Sequence, residues 1–380
     1  MTVLALALLA TQSLQAQSYP LAIQYGRSWP LSVVVDGQRG LVYVDATSGI
    51  YPPTGFSFGV VNVTSHALLR VLPLDVTPGA MVQDGWNGDV YVAGNDSIDV
   101  FDPGAQAFVG RMLLGRPILF MADGYPVSHD LFFTSGGAVY AVDPTSGREV
   151  ANATVGGEAG SIAVDPVSGM LYVGNYVLHT IFILPPSLNT TGTLSVPRCC
   201  PSELALAQST QMLYASTGTN FVEVVDARSD SVVKETQVAP SGQNSTSVIV
   251  ADQTTGRVFV SSSPGGSIIE LNSQGAVGRT FIVTSAPAGL AVDNATGELF
   301  ATNYHQITVF DARAPLPGPN YTTAELALSG AAVAAVALVV VLRWMRQGAV
   351  EKRDGQDSGP ATRRSGLFLC SHLWGRRGTE

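Results

Sequence analysis

Short apolar runs punctuated by turn residues recur along most of the chain. Seven times such a run ends on an acidic or amide residue: SVVVD, AMVQD, LFMAD, SIAVD, LALAQ, VIVAD and LAVD. The end residues are Asp36, Asp84, Asp123, Asp165, Gln208, Asp252 and Asp293, with successive spacings of 48, 39, 42, 43, 44 and 41. After most of them a turn closes on glycine, as from Asp165 to Gly169 or Asp293 to Gly297. A second run follows (LVYVDA, DVYVAGN, DLFFTSG, MLYVGN, MLYAST, RVFVSS, ELFATN), then a third ending in Asp-Pro or Asp-Ala, as in IDVFDP and ITVFDA. A looser fourth, such as AFVGRMLL, completes the unit. Runs this short, rich in Val, Ile, Phe and Tyr and bounded by Gly, Pro, Asn and Asp, are strands. Four strands per period of roughly 40–45 residues predicts a β-propeller, whereas a solenoid of strands would show shorter periods and need end caps. The seventh unit has three strands, ending at Asp311 and Ala312, and PLAIQYG (Pro20 to Gly26) supplies a spare one. Pairing first with last removes the open sheet edges. The expectation is an all-β, seven-bladed β-propeller closed by the N-terminal strand.

The phrases LYVGNYVLHTIFIL and LFATNYHQITVFDA resemble the YVTN β-propeller repeat, over about residues 20–313. The resemblance implies an exported or cell-surface propeller and says little about activity, since the family includes many binding and surface proteins. Two units depart from it. Unit one inserts TSGIYPPTGFSF after its second strand, and unit five has lost the Asp-to-Gly turn. Lactonase-like and quinoprotein-like propellers share the shape, so the fold alone leaves an enzyme open.

Charge and hydropathy add an address. The formal net charge is −9, which argues against a nucleic-acid partner. Eight of the 20 basic residues but only four of the 29 acidic ones lie from Arg343 onward, so an acidic body precedes a basic tail. Between them runs LALSGAAVAAVALVVVL, residues 326–342, uncharged and at the short end for a bilayer-spanning helix. Arg343, Trp344 and Arg346 follow directly, the positive-inside pattern with an interfacial tryptophan. The first 18 residues read as a signal peptide, with Ala16 to Ser18 as an A-x-A-like cleavage site and no basic n-region. The expected organisation is a signal peptide (1–18), a propeller (19–313), a Pro-rich stalk (314–325), one C-terminal transmembrane helix (326–342) and a basic cytoplasmic tail (343–380). That is a single-pass type I membrane protein with its propeller on the extracellular side. Seven N-x-S/T sequons, at Asn62, Asn95, Asn152, Asn189, Asn244, Asn294 and Asn320, are candidate glycosylation sites in an exported body.

Candidate chemistry is sparse. The recurring aspartates sit where strand one turns back, and Asp makes such turns by accepting backbone N–H groups, which accounts for them better than a ring of metal ligands. Gly55 to Gly59 (GFSFG) matches the G-x-S-x-G nucleophile elbow, but no helix follows it, so the match is fortuitous. No two histidines show the close spacing of a zinc site. No cofactor, metal or catalytic constellation is expected. His179 and His305 share a local pattern, Asn175-Tyr176 then His179 and Asn303-Tyr304-His305, in turns on the same face as the blade-to-blade connections. Those connections carry Arg27, Trp29, Arg116, Glu158, Arg198 and Glu203, so one rim gathers them with Tyr176, His179, Tyr304 and His305. Arginines with an aromatic would suit an anionic or sugar ligand.

The rim also holds Cys199 and Cys200, side by side between prolines; the third cysteine, Cys370, lies in the tail. Outside the cell thiols oxidise. Adjacent α-carbons lie about 3.8 Å apart, below the usual disulfide range of roughly 4.4–6.8 Å, so a vicinal bond would be a strained ring that staples no loop. A vicinal disulfide, intermolecular disulfides, a reduced pair and soft-metal capture all remain open from sequence. Two functions are compatible with these residues. One is a cell-surface binding or adhesion protein facing a glycan, an envelope component or a protein. The other is an extracytoplasmic lactonase- or hydrolase-like enzyme with a metal in the channel, disfavoured by inner strands that are mostly Val, Ala, Leu, Ile and Met.

Overall fold

The computed structural model describes residues 18–21, 28–48, 55–197, 200–239, 246–262, 266–283, 285–303 and 306–314. The chain divides into Met1–Leu316 and Pro317–Glu380, and all described residues belong to the first unit. The transmembrane helix, the stalk beyond Ala314 and the tail expected from sequence lie outside them, as do Arg27, Arg198, Cys199, Asn244, Tyr304, His305 and Asn320.

Among the described residues, twenty-eight strands form seven four-stranded antiparallel sheets. The first strand, β1 (Ser18–Leu21), belongs to the last blade. Blade 1 is β2 (Ser28–Asp36), β3 (Leu41–Ser48), β4 (Gly55–Asn62) and β5 (Leu68–Leu74). Blade 2 is β6 (Met81–Gln83), β7 (Val90–Ala93), β8 (Ser97–Asp102) and β9 (Ala107–Leu113). Blade 3 is β10 (Phe120–Asp123), β11 (Leu131–Ser135), β12 (Ala138–Asp143) and β13 (Arg148–Thr154). Blade 4 is β14 (Ile162–Val164), β15 (Leu171–Asn175), β16 (Thr180–Leu184) and β17 (Gly192–Ser195). Blade 5 is β18 (Glu203–Ala207), β19 (Met212–Ser216), β20 (Phe221–Asp226) and β21 (Ser231–Gln237). Blade 6 is β22 (Thr246–Ala251), β23 (Val258–Ser262), β24 (Ser267–Leu271) and β25 (Val277–Ile282). Blade 7 is β26 (Gly289–Val292), β27 (Glu298–Asn303) and β28 (Gln306–Asp311), completed by β1.

The closing strand sits slightly earlier than expected. It spans Ser18–Leu21 instead of Pro20 to Gly26, pairing Ser18 with Phe310 and Leu21 with Ile307. The segment GFSFG lies within β4, paired in register with β3, with Phe58 fully buried. A strand in that position cannot present a nucleophile elbow.

The turns explain the repeat. Asp36 accepts the backbone N–H groups of Gln38 and Arg39, Asp252 those of Thr254 and Thr255, and Asp293 that of Ala295. The glycine closing such a turn is left-handed, as at Gly169 (φ 75°) and Gly297 (φ 80°), a conformation that costs glycine little. In unit five the left-handed position falls on Gln211 (φ 57°). Its amide compensates by donating to Asp165 of the neighbouring blade and to the Gln208 carbonyl.

The core is a ring of interfaces. Buried side chains form seven clusters, each drawn from two adjacent blades, and one joins Val33, Val42 and Val61 of blade 1 to Phe300, Ile307 and Val309 of blade 7. A bulky aromatic recurs on every second strand: Tyr43, Tyr91, Phe132, Tyr172, Tyr214, Phe259 and Phe300 are all buried. The tyrosine hydroxyls bond to protein groups, Tyr91 to Asp84 at 2.9 Å and Tyr172 to the Ala227 carbonyl at 3.1 Å. Burial pushes the Tyr214 phenol up to about 12.

Candidate functional site

The face that carries the blade-to-blade connections is built on hydroxyl groups. Ser32 Oγ of blade 1 donates to the Gly79 carbonyl at the entry to blade 2 (2.8 Å), and Thr302 Oγ1 of blade 7 donates to the Leu31 carbonyl (2.6 Å). Ser161 Oγ of blade 4 accepts from Leu204 N–H of blade 5, and Ser216 Oγ of blade 5 donates to the Ser247 carbonyl of blade 6. The inner ends of the blades are therefore cross-linked by short side chains.

Two connected hollows open at this face. The central one, about 360 Å³, is lined by inner strands from all seven blades, among them Ser32, Met81, Phe120, Ser161, Glu203 and Leu290. The second, about 310 Å³, lies over blades 3 to 6 and is bounded by Phe120, Glu158, Tyr176, Glu203, Thr246 and Ser247. Phe120, Glu203 and Val248 border both. Three of the residues expected at the rim, Glu158, Tyr176 and Glu203, thus meet in one cavity although they come from three different connections.

Each is placed by local structure. Glu158 follows Gly156 (φ 73°) and Gly157 (φ 55°) on the connection from β13 to β14 and is exposed. Tyr176 sits in the turn from β15 to β16, 43% exposed. Buried Asn175 shapes that turn, donating to the Gly156 carbonyl at 2.7 Å and accepting Leu178 N–H at 2.9 Å. Glu203 opens β18. Burial pushes its carboxyl up to about 7, with the Ser161 hydroxyl acting in the opposite direction, so it takes up a proton at a higher pH than an exposed glutamate.

Other rim residues go elsewhere. Arg116 turns sideways onto blade 3, its guanidinium 4.1 Å above the Tyr140 ring and 3.2 Å from Glu149 Oε2. It does not border either hollow, and two carboxyl groups do. Arg27 and Arg198, the other arginines expected at the rim, lie outside the described residues. Trp29 lies in β2, paired with Thr47. His179 (φ 52°) is exposed, and its Nε2 is 3.9 Å from Cys200 Sγ. Cys200 (φ 57°) is disulfide-bonded; the chain's other cysteines, Cys199 and Cys370, lie outside the described residues. The strand that follows packs tightly: the Pro201 carbonyl lies 2.6 Å from where a Cβ on Gly174 would stand. Among the described residues no three His, Cys, Asp or Glu side chains are grouped to hold a metal ion. No described helix is long and apolar enough to cross a membrane.

Of the described sequons, Asn95, Asn152, Asn189 and Asn294 are exposed. Asn62 is half-buried and caps its turn by accepting from Ser65 N–H and Oγ.

Sequence reasoning missed a third hollow, on the opposite face. It measures about 530 Å³ and is lined by Asp84, Trp86, Asn87, Asp89, Tyr91 and His129, with Pro144 and Thr145 from the β12–β13 turn. The signal was present in the repeat: Trp86 and Tyr125 both stand two residues after their unit's anchor aspartate.

Blades, closure and rim together define a seven-bladed β-propeller domain. No family model matches the chain, and no curated protein matches it. Among solved structures, the crystal structure of RRP9 WD40 repeats is similar, with a TM-score of 0.65, 11% identity, and coverage of 78% of this chain and 98% of that one. At that identity the likeness is one of fold alone.

Proposed function

We propose that this chain is a membrane-anchored, cell-surface binding protein of the YVTN type, which presents the connection face of its propeller to a glycan or a glycan-bearing envelope component. The observation that carries the reading is the cavity where Glu158, Tyr176 and Glu203 converge beside Ser202, Thr246 and Ser247. Carboxyl and hydroxyl groups accept hydrogen bonds from sugar hydroxyls, and the exposed tyrosine and Phe120 offer ring faces to the apolar side of a pyranose. Among the described residues, the carboxyl groups of that cavity favour a neutral ligand over an anion. The uncharged stretch at 326–342, its basic flank and the sequons support anchoring with the propeller outside.

The test uses the full-length protein in detergent, titrated with neutral polysaccharide from its own cell envelope. Tyr176→Ala should weaken binding severalfold while leaving the melting transition in place, and Glu203→Gln should weaken it severalfold in a protein that still unfolds cooperatively. Unchanged affinity in both variants refutes the site. Protease protection of the tail in intact cells tests the orientation, and a digested tail refutes it. No observation on the described residues favours the lactonase- or hydrolase-like alternative.

A further inference from the structure

The hollow on the opposite face has a different chemistry. Three turns from two blades build it: Asp84–Asp89 of blade 2, and in blade 3 the Asp123–Asp130 turn and the β12–β13 turn. Trp86 stands 66% exposed at its edge, a large apolar surface that the fold does not bury. His129 meets it edge-on with ring centroids 4.7 Å apart, and Tyr125 lies 6.1 Å from Trp86 and 6.2 Å from His129. The turns are held in place from below. Gly85 N–H donates to Asp123 across the blade boundary at 2.7 Å, and Trp86 N–H donates to Asp84 at 2.7 Å.

The polar lining is rich in acceptors and poor in spare donors. Asn87 is already committed on both sides of its amide, donating to Asp89 Oδ2 at 2.8 Å and accepting Asp89 N–H at 2.7 Å. Its backbone carbonyl accepts from Arg39, whose other nitrogen pairs with Asp36. Asp84 and Asp89 both line the cavity, and Asp102 and Asp123 lie close enough for their charges to act on those two turns. Carboxylates crowd one another here, so each gains from a nearby cation. An indole face is the best of the aromatic partners for a cation.

We propose that this hollow is a second binding site, for a ligand that presents an organic cation, a guanidinium or an alkylammonium, to Trp86 and Asp89. The aromatic corner takes the face of the cation and the carboxylate takes its N–H groups or its charge. The volume, about 530 Å³, suits a side chain with its flanking backbone or a small free amine. The site stands on residues remote from the rim cavity, so its fate is independent of the glycan reading above.

Calorimetric titration of the full-length protein in detergent tests it with three probes. N-acetyl-arginine methylamide represents a cation borne on a polypeptide, tetramethylammonium a free one, and N-acetyl-citrulline methylamide the neutral isostere. Binding of either cation, with the citrulline compound at least about tenfold weaker, is the expected result, and the tighter cation identifies the source. Trp86→Ala should weaken binding roughly 3- to 30-fold, and Asp89→Asn should weaken it and flatten its dependence on salt. Trp86 is largely exposed, so its variant is expected to fold, and Asp89→Asn gives a second reading that removes no ring. No heat with either cation at 10 mM, citrulline binding within about twofold of arginine, or undiminished binding in both variants overturns the proposal.

Discussion

Asp45 is fully buried in β3, and its carboxyl is the most exposed weakness of the propeller's energetics. One oxygen accepts Ser32 N–H at 2.8 Å; the other, Oδ2, has no hydrogen-bond partner. Burial pushes this carboxyl up to about 7 from an ordinary value of 3.8, and the Ser32 contacts offset only part of the rise. The folded state therefore holds a proton that the unfolded chain has released between about pH 4 and 7. Stability from this group is complete below that window and is lost as pH rises through it. A rise of about three pH units corresponds to roughly 4 kcal/mol between acid and alkaline limits. Asp45→Asn keeps the acceptor for Ser32 and removes the charge. Urea unfolding at pH 5 and pH 8, which spans only part of that window, should show the wild type losing stability and the variant losing roughly 2.6 kcal/mol less. Glu203, also raised to about 7 by burial, gives a slope of the same sign that both proteins share, so the difference isolates Asp45. Equal losses in the two proteins would refute the reasoning.

Two further outcomes follow from close contacts. Gly174→Ala would place its Cβ 2.6 Å from the Pro201 carbonyl; strand β15 and the Cys200 connection must then separate, at a cost of about 1–3 kcal/mol. Thermal unfolding checks the loss, and an unchanged melting temperature would mean the connection yields freely. Arg111 grips buried Asp99 through two nitrogens across the β8–β9 pair. Arg111→Ala strands that carboxylate, and denaturant unfolding should show a loss of about 2 kcal/mol, modest because the arginine is partly solvated.

Much of the ring was legible because its spacing is chemical. Each inner strand ends on a residue that must accept turn amides, so Asp36, Asp165 and Asp293 mark the units without any alignment. Gln208 fitted the spacing although it lacked the acid, since Gln211 can stand left-handed with its amide anchored on Asp165. The closing strand was misplaced by a few residues because four residues containing a proline carry no alternation to read. Side-chain direction was less legible than position. Arg116 lies on a connection, as its sequence context implies, yet Tyr140 and Glu149 draw it away from the channel. The lower hollow escaped notice for another reason. Trp86 and Tyr125 are ordinary turn residues one at a time, and only the curvature of the ring makes neighbours of turns about 40 positions apart.

The pairing of β1 with β28 has a consequence for the order of folding. Leu21 meets Ile307, so that contact closes a loop of roughly 290 residues, costing about 3 kcal/mol more chain entropy than a ten-residue hairpin. For a chain emerging N-terminus first, six blades can assemble as their own residues appear. The seventh cannot, because its outermost strand has to wait for the last to be made. Until then Val33, Val42 and Val61 face water in place of Phe300 and Val309. An interrupted chain thus displays a greasy blade face, a ready mark for the factors that remove unfinished proteins.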